Sequence, residues 1–379
     1  MINQPSVVAV PRRRRRRGFI ALILIVALVC VLSAGATVGI GWYFSGVTIG
    51  VDHDSEYPYE VRASGPGTVT LPLDKTTGRP GRWGLAWKGG RTVLGRITKS
   101  DSRTVTYAVL ASPVPAKGQR VYLDHWVYDT PKGAGQEAKD VTYPSKLGPM
   151  PAWLFPGSRR TWVIAVHGHS ASRAETLRPV RALRQLGMPV LSIAYRNDVG
   201  APKSADGKLH LGDTEWQDAS SAIDYARANG ATGVVLYGWS MGGAIAMKTL
   251  REKPGLVRAV VLDSPVMDWN ATLDKAGADE GLPDLMTGVA KRFVEWRVGI
   301  ELDDFDQREY APRLKVPVLL YTTADDATVD NKPSLEFARK APPGLVTAVA
   351  TAGDHTDAWN VDSGAYERSL LTFLRKIQE

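Results

Sequence analysis

Cysteine is nearly absent from this chain of 379 residues, because Cys30 is the only one. A single thiol forms no intramolecular disulfide and no thiolate cluster for a metal. Histidine is also scarce, with six residues in all. Two of them, His167 and His169, are close enough in sequence to share a zinc ion, but no cluster of further ligands accompanies them. We therefore expect neither a metal nor a cofactor.

A broad excess of one charge is missing as well. The formal net charge is +8, but six of the 47 basic residues form one tract, Arg12 to Arg17. Outside that tract, 41 lysines and arginines stand against 39 acidic residues. The bulk of the chain is close to neutral, which argues against a nucleic-acid partner.

Charged residues are entirely absent from residues 18–50, which are apolar or small. A helix needs about 20 apolar residues to cross the hydrocarbon core of a membrane, and this run is long enough. Aromatic residues at 42–44 suit one membrane interface, and the arginine tract suits the cytoplasmic side. We predict a basic cytoplasmic tail at 1–17, a transmembrane helix at 18–44, and a single-pass protein of the cell membrane whose remaining chain is extracytoplasmic.

Two other interpretations of this segment stay open. Ala34-Gly35-Ala36 is a small-residue sequence of the kind cleaved in signal peptides. Arg16-Arg17 and the residues after them also bear a faint resemblance to a twin-arginine export signal. The apolar run is longer than the roughly 7–15 residues of a signal peptide's apolar region, which favours an uncleaved anchor. Each interpretation places most of the chain outside the cytoplasm.

Two further regions follow the apolar segment. Residues 45–139 contain short β-branched runs between glycine and proline turns, which predicts a β-rich accessory region to which we assign no chemistry. From residue 140 to 379, short apolar runs alternate with amphipathic segments. This alternation indicates an α/β fold with a mostly parallel sheet and helices on both faces. The stretch 264–312 interrupts the alternation and is expected to form a helical, cap-like insertion.

The expected elements of the α/β region can be placed by their apolar patterns. Strands are expected at 161–166, 189–194, 233–237, 257–262, 316–321 and 345–351. Helices are expected at 175–186, 215–229, 241–250, 334–341 and 365–377.

A serine in a G-x-S-x-G pattern directly follows the strand expected at 233–237. The motif is Gly238-Trp239-Ser240-Met241-Gly242. A nucleophile at a sharp strand-to-helix turn has a strained backbone, and small residues two positions away avoid a collision with it. We therefore predict that Ser240 is a nucleophile. The competing interpretation is a tight turn whose serine merely caps the following helix.

A nucleophilic serine needs a general base. Where such a serine follows a strand of a mostly parallel sheet, the expected order of the catalytic residues along the chain is serine, acid, histidine. His355 is the only histidine after Ser240. It lies in a loop between the last expected strand and the last expected helix. We predict that His355 is the base, and the competing interpretation is a surface histidine in a polar loop.

A carboxylate that orients the histidine is expected in the loop after the strand at 316–321. Two adjacent aspartates, Asp325 and Asp326, lie there. Asp326 precedes Val329 by three residues, the D-x-x-V spacing of such loops, so we favour Asp326. Asp325 is the first alternative, and Asp268 is a lesser one.

Two backbone amides are expected to stabilise the oxyanion of an acyl-transfer reaction. One belongs to Met241, which follows the nucleophile. The other belongs to His169, in the H-G-x turn after the first strong strand.

These motifs resemble those of the α/β-hydrolase superfamily, with similarity to bacterial prolyl-oligopeptidase-like and serine-aminopeptidase-like hydrolases. The resemblance covers residues 140–379 and implies a Ser-His-Asp triad on an α/β-hydrolase fold. One position departs from the family, which often has glycine where Thr323 stands. The residues that carry the resemblance are His167-Gly168-His169, Gly238 to Gly243, Asp326 to Val329 and Gly353-Asp354-His355.

The predicted activity is hydrolysis of an acyl bond through an acyl-enzyme, with a carboxylic ester as the first choice of substrate. Peptide hydrolysis, thioester hydrolysis and acyl transfer to an envelope acceptor stay open, as does a non-catalytic binding module on the same scaffold. The expected partners are a small or lipid-like acyl substrate and the membrane. The apolar residues of 264–312 are expected either to line an acyl pocket or to form the insertion's own core. Oligomeric state is not predicted.

Overall fold

A computed structural model describes residues 12–51 and 56–377, and for residues 12–18 it describes the backbone alone. Of the predicted cytoplasmic tail, residues 1–11 therefore lie outside the described residues. Within the described ranges, the chain forms an amino-terminal helix, a seven-stranded sheet, and an eight-stranded sheet with flanking helices.

Helix α1 (Arg12–Ile49) is longer than the predicted span at 18–44. Its segment Phe19–Ile49 has a mean hydropathy of 2.9 and is long and apolar enough to cross a membrane. Residues 19–36 are exposed on every side of the helix. From Thr37 onward one face turns inward, with Gly41, Ser45 and Ile49 buried at intervals of four residues. The helix therefore has a freely exposed apolar part and a part that docks on the folded domain.

The predicted β-rich region is an antiparallel sheet with the strand order β1-β7-β4-β5-β6-β3-β2. Alternate side chains of β3 point into a small core, as expected of a strand with one face exposed to solvent. The strands are β1 (Tyr59–Glu60), β2 (Ala63–Gly65), β3 (Thr68–Pro72), β4 (Trp83–Trp87), β5 (Gly90–Ser100), β6 (Thr104–Val109) and β7 (Arg120–Asp124).

The larger sheet is mostly parallel, as predicted, and has the order β15-β14-β13-β12-β10-β11-β9-β8. All seven residues of the central strand β12 are buried, which explains its continuous apolar sequence. The strands are β8 (Lys139–Ser145), β9 (Gly148–Phe155), β10 (Thr161–Val166), β11 (Val190–Ile193), β12 (Gly233–Trp239), β13 (Val257–Asp263), β14 (Val318–Thr323) and β15 (Val346–Thr351).

The sequence patterns did not predict strands β8 and β9. They pair with each other in antiparallel fashion, and β9 pairs in the same way with β11. Prolines at 144, 149 and 151 interrupt their apolar pattern. Proline gives no ladder N–H and is tolerated mainly near sheet edges, which is where this hairpin lies.

Helices cover the larger sheet close to the expected positions, with one exception. The helix expected at 175–186 is divided into a 3-10 turn, Arg173–Leu177, and a short helix, because Pro179 lacks the N–H that would continue it. The helices are α2 (Val180–Gln185), α3 (Trp216–Ala228), α4 (Met241–Glu252), α5 (Trp269–Asp279), α6 (Asp284–Val298), α7 (Asn331–Lys340), α8 (Ala358–Val361) and α9 (Ser363–Ile377).

The insertion at 264–312 is helical, as predicted. It contains α5, α6 and three 3-10 turns, and α6 packs along α1. Gly41 permits the close approach of the two helices, because a Cβ there would lie 2.8 Å from Cγ1 of Val289.

The small sheet's region contacts the α/β region through a close backbone approach at Gly81. The N–H of Arg82 donates to the Asn360 carbonyl at 2.9 Å. The side-chain amide of Asn360 donates back to the carbonyls of Arg82 and His125, each at 2.8 Å. A Cβ on Gly81 would lie 2.3 Å from the Asn360 carbonyl oxygen.

We expect Gly81→Ala to destabilise the protein more than the matched variant Gly89→Ala. Both glycines have positive φ, but space around Gly89 is open, whereas an added Cβ at Gly81 displaces Asn360. The expected losses are about 1 kcal/mol for Gly89→Ala and about 3 kcal/mol for Gly81→Ala. Thermal unfolding followed by tryptophan fluorescence measures both. Equal losses would show that the contact with Asn360 does not join the two regions.

Candidate active site

Ser240 lies at the junction of β12 and α4 with φ 51° and ψ −121°. A residue with a Cβ pays roughly 1–3 kcal/mol for such a conformation. The flanking glycines make the turn possible, because a Cβ on Gly238 would lie 2.2 Å from the Gly242 carbonyl oxygen. The Ser240 side chain makes no capping hydrogen bond to α4. The side chain therefore does not cap the helix, and the strained strand-to-helix turn has the geometry predicted for a nucleophile at this position.

The imidazole of His355 lies against the carboxylate of Asp326. Its Nδ1 is 3.0 Å from Oδ1 and 2.9 Å from Oδ2 of Asp326. That carboxylate is buried and also accepts the backbone N–H groups of Thr328 at 2.9 Å and Val329 at 2.8 Å. The bond from Val329 gives the D-x-x-V spacing its physical reason, because the loop closes on the aspartate side chain.

Neither alternative acid contacts His355 in this way. Asp325 is exposed, and its backbone N–H donates to the Gly353 carbonyl at 3.1 Å. Asp268 caps helix α5 and forms an ion pair with Arg308 at 2.8 Å. Of the three aspartates considered from the sequence, the structure brings Asp326 alone to the histidine.

The loop after β13 connects the serine turn to the histidine loop. The Ser240 N–H donates to the Asp263 carbonyl at 3.0 Å. Ser264, the next residue, accepts the N–H of Thr356 on its hydroxyl at 3.1 Å, and its own N–H donates to the Tyr321 carbonyl at 3.0 Å. Four loops at the carboxyl ends of adjacent strands therefore meet at one point.

Two groups near this point have shifted pKa values. Burial works against the protonated ring of His355, but the hydrogen bond and negative charge of Asp326, with the charges of Glu175 and Asp263, outweigh it and raise the pKa of His355. Burial also raises the pKa of the Asp263 carboxyl to about 6, against the opposing charge of Arg178 and a hydrogen bond from Tyr366. Perturbed groups of this kind are typical of functional sites.

The H-G-x turn closely approaches Ser240. A Cβ on Gly168 would lie 3.0 Å from Cβ of Ser240. The buried carboxylate of Glu175 accepts the Gly168 N–H at 2.7 Å and fixes the turn. Met241 is the first residue of α4, so its N–H is one of those that a helix leaves without an intrahelical acceptor. Both residues chosen as amide donors, His169 and Met241, thus lie beside Ser240.

The two histidine rings of the H-G-x turn contact different partners. Nε2 of His167 lies 2.7 Å from Oδ2 of Asp198, and its ring stacks on Tyr195 at 4.4 Å. Nε2 of His169 lies 2.8 Å from the carbonyl oxygen of Thr48, in the last turn of α1. Across residues 12–51 and 56–377, no group of three or more His, Cys, Asp or Glu side chains is placed to hold a metal ion.

Two arginines that the sequence analysis missed stabilise the loop of His355. Arg178 is buried and donates to the Thr356 carbonyl at 2.6 Å and the Asn360 side chain at 2.7 Å. Arg79, from the small sheet's region, donates to Asp357 at 2.6 Å. These partners are 178 to 278 residues apart in the chain, so no local sequence signal could have connected them.

Comparison with known proteins places these features in a family. A family model described as "Serine aminopeptidase, S33" matches residues 157–308, which include the H-G-x turn and the serine motif. The curated "Alpha/beta hydrolase domain-containing protein WAV2" of Arabidopsis thaliana is 24% identical over 247 residues, covering 59% of this chain and 74% of that protein. These matches support the α/β-hydrolase superfamily for this chain, and the family model covers its residues 157–308.

Solved structures support an α/β-hydrolase fold for this chain. Two crystal forms of the Pyrococcus furiosus esterase Pf2001 match it with TM-scores of 0.53 and 0.54, at 24% and 22% identity. Each match covers 65% of this chain, and 94% and 96% of the esterase chains respectively. Residues 60–124 match a different family, the domain of unknown function DUF8805, and this range corresponds to the small sheet.

We expect Asp326→Asn to lower the pKa of His355, and Asp325→Asn to leave it unchanged. The amide removes the negative charge that stabilises the protonated ring, whereas Asp325 makes no side-chain contact with the ring. NMR titration of ring-labelled histidine in the two variants and the wild type measures the shift. An equal shift in both variants would contradict the assignment of Asp326.

Proposed function

We propose that this α/β hydrolase is a membrane-anchored serine esterase that uses Ser240, His355 and Asp326. The observation that carries the proposal is the strained turn of Ser240, with its side chain free of the helix, together with a histidine that is paired with a buried carboxylate and whose loop is joined to the serine turn through Asp263 and Ser264. A serine that only capped a helix would not require a histidine paired with a carboxylate. Nucleophilic catalysis requires both a free hydroxyl and a base whose tautomer is fixed.

The reaction begins when Oγ of Ser240 attacks the ester carbonyl and Nε2 of His355 accepts the hydroxyl proton. Asp326 accepts Nδ1–H and stabilises the positive ring. The amides of His169 and Met241 bind the negative oxygen of the tetrahedral intermediate. His355 then returns its proton to the departing alcohol, which leaves an acyl-enzyme. Water attacks this ester with His355 again as the base, and the carboxylic acid and free Ser240 are released.

An ester is the first choice of substrate, and a peptide is the alternative. The similar Pyrococcus furiosus structures are described as an esterase, whereas the family model is described as a serine aminopeptidase. Hydrolysis of p-nitrophenyl esters compared with aminoacyl p-nitroanilides separates the two.

Helix α1 supports the membrane anchor. Its freely exposed apolar part, residues 19–36, extends about 27 Å at 1.5 Å per residue. That length is close to the roughly 30 Å of a bilayer's hydrocarbon core. The exposed aromatic side chains of Trp42 and Tyr43 follow the apolar part, as is common at membrane interfaces. The helix runs without a break through Ala34-Gly35-Ala36.

We expect a fluorophosphonate probe to label the full-length protein in detergent, because an activated serine attacks phosphorus as it attacks a carbonyl. Ser240→Ala should abolish labelling, and Asp326→Asn should slow it by about 10³ to 10⁴ fold. Ser102→Ala, an exposed serine on the small sheet, is the control and should label like the wild type. Undiminished labelling of Ser240→Ala would exclude Ser240 as the nucleophile, and no labelling of the wild type would favour a non-catalytic module.

We expect the anchor to be retained in the mature protein. The full chain expressed in cells should remain in the membrane fraction after carbonate washing, because 18 consecutive exposed residues, nearly all apolar and none charged, stabilise insertion strongly. Intact mass spectrometry should show residues 1–36 still attached. A soluble product that begins after Ala36 would establish a cleaved signal peptide instead.

A further inference from the structure

A cavity lies between α1, the insertion helices and the loop after β14. Its volume is about 340 Å³, within the roughly 300–1,000 Å³ of typical small-molecule pockets. Apolar side chains from all three helices form most of its wall, including Phe44 and Val47 of α1, Leu273 of α5, and Val294 of α6. The charged residues Asp279, Glu280 and Lys291 also border it. Such a cavity suits a hydrocarbon group more than a polar one.

The cavity borders the candidate active site on two sides. Ala327 and Thr328 line it and directly follow Asp326. Thr48 also lines it, and the Thr48 carbonyl accepts the hydrogen bond from the ring of His169. A larger groove, about 850 Å³, lies between residues 130–140 and Trp153. Neither lining contains any of the five predicted site residues, but of the two only the smaller cavity is lined by residues that adjoin one of them in sequence or are hydrogen-bonded to one. The smaller cavity is therefore the better place for a group attached to the reacting carbonyl.

One wall of the cavity is the docked part of the apolar helix α1. Arg297 of α6 secures it, because its guanidinium donates to the Trp42 carbonyl at 3.1 Å and to Oγ of Ser45 at 2.8 Å. The same guanidinium lies 4.1 Å from the centre of the Trp42 ring. The docking begins close to where the freely exposed part of α1 ends. The cavity therefore lies close to the membrane surface when α1 spans the bilayer.

The outer face of α6 continues the apolar surface of α1. Leu285 is 74% exposed and Trp296 is 71% exposed. The ring of Trp42 contacts two aromatic rings of α6. Its centre lies 5.7 Å from the ring centre of Phe293 and 6.2 Å from that of Trp296. Large apolar side chains that are this exposed mark a surface for a membrane or a partner. Because these side chains continue the surface of an apolar helix, a membrane is favoured over a protein partner.

We propose that this cavity binds the acyl chain of a long-chain lipid ester, which enters from the bilayer along the outer face of α6. The proposal rests on the proposed function, because the ester carbonyl is taken to lie at Ser240. In this arrangement the chain lies between α1, α5 and α6, and the carbonyl lies between the amides of His169 and Met241. A membrane lipid then reaches the serine without passing through water.

The test uses full-length protein carrying Ser240→Ala, in phosphatidylcholine vesicles that contain a phosphatidylcholine with a diazirine on its acyl chain. Irradiation followed by peptide mapping should label Leu273, which lines the cavity, in addition to residues 19–36. Ala276→Trp places an indole at the cavity wall and should reduce labelling of Leu273 at least fivefold relative to residues 19–36. The matched control is Ala278→Trp, since Ala278 is exposed on the same helix but does not line the cavity. It should leave the ratio unchanged.

A second arm uses the same two α5 variants with Ser240 intact, and compares p-nitrophenyl laurate with p-nitrophenyl butyrate. Ala276→Trp should lower kcat/KM for the laurate at least tenfold and for the butyrate less than twofold. Absent labelling of Leu273, or equal losses for both esters, would overturn the acyl-chain site while leaving an esterase. Labelling of Leu273 without any ester hydrolysis by the wild type would instead retain the lipid site and overturn the proposed function.

Discussion

The backbone of Ser240 has a positive φ, and the residues around it are arranged so that this strained conformation is accommodated. The conformation turns the chain sharply from β12 into α4, so that the hydroxyl is left at the carboxyl edge of the sheet. Glycine at position 242 lets α4 approach β10 closely, because a Cβ on Gly242 would lie 2.2 Å from the Val166 carbonyl oxygen. The strain of roughly 1–3 kcal/mol is small beside the burial of the two flanking elements, most of whose residues are buried.

Buried charges then fix the loops that face this turn. Glu175 fixes the H-G-x turn, Arg178 fixes the loop of His355, and Asp326 fixes the ring itself. Each buried charge has hydrogen-bonding or ionic partners, which is the condition under which a charge is tolerated in a protein interior. Arg79 extends the arrangement to the small sheet, because it pairs with Asp357 two residues beyond the histidine. The accessory region is therefore part of the support of the histidine loop.

The sequence predicted the parts of this design that are local. A nucleophile turn and a D-x-x-V loop are short motifs, and each reflects contacts within a few residues, such as the bond from Val329 to Asp326. Central strands were predicted within about two residues at most ends because strands buried on both faces are apolar throughout. The hairpin of β8 and β9 was missed, since its prolines are tolerated only by its position at the sheet edge. Arg79 and Arg178 were missed because their partners are distant in sequence.

The end of α1 also depends on tertiary contacts that no local pattern could predict. The apolar run suggested a helix ending at residue 44, but the helix continues to Ile49 because Ser45 and Ile49 pack on the folded domain. Burial lowers the pKa of His169, although the bond to Thr48 works in the opposite direction. Its Nε2–H donates to the Thr48 carbonyl, and this bond fixes the orientation of the ring. Since the backbone of the same residue lies beside Ser240, the last turn of α1 is only one hydrogen bond from the candidate oxyanion site. An apolar helix that was independent of the folded domain would make no such contact, so the last turn of α1 is packed as part of the domain that carries the H-G-x turn.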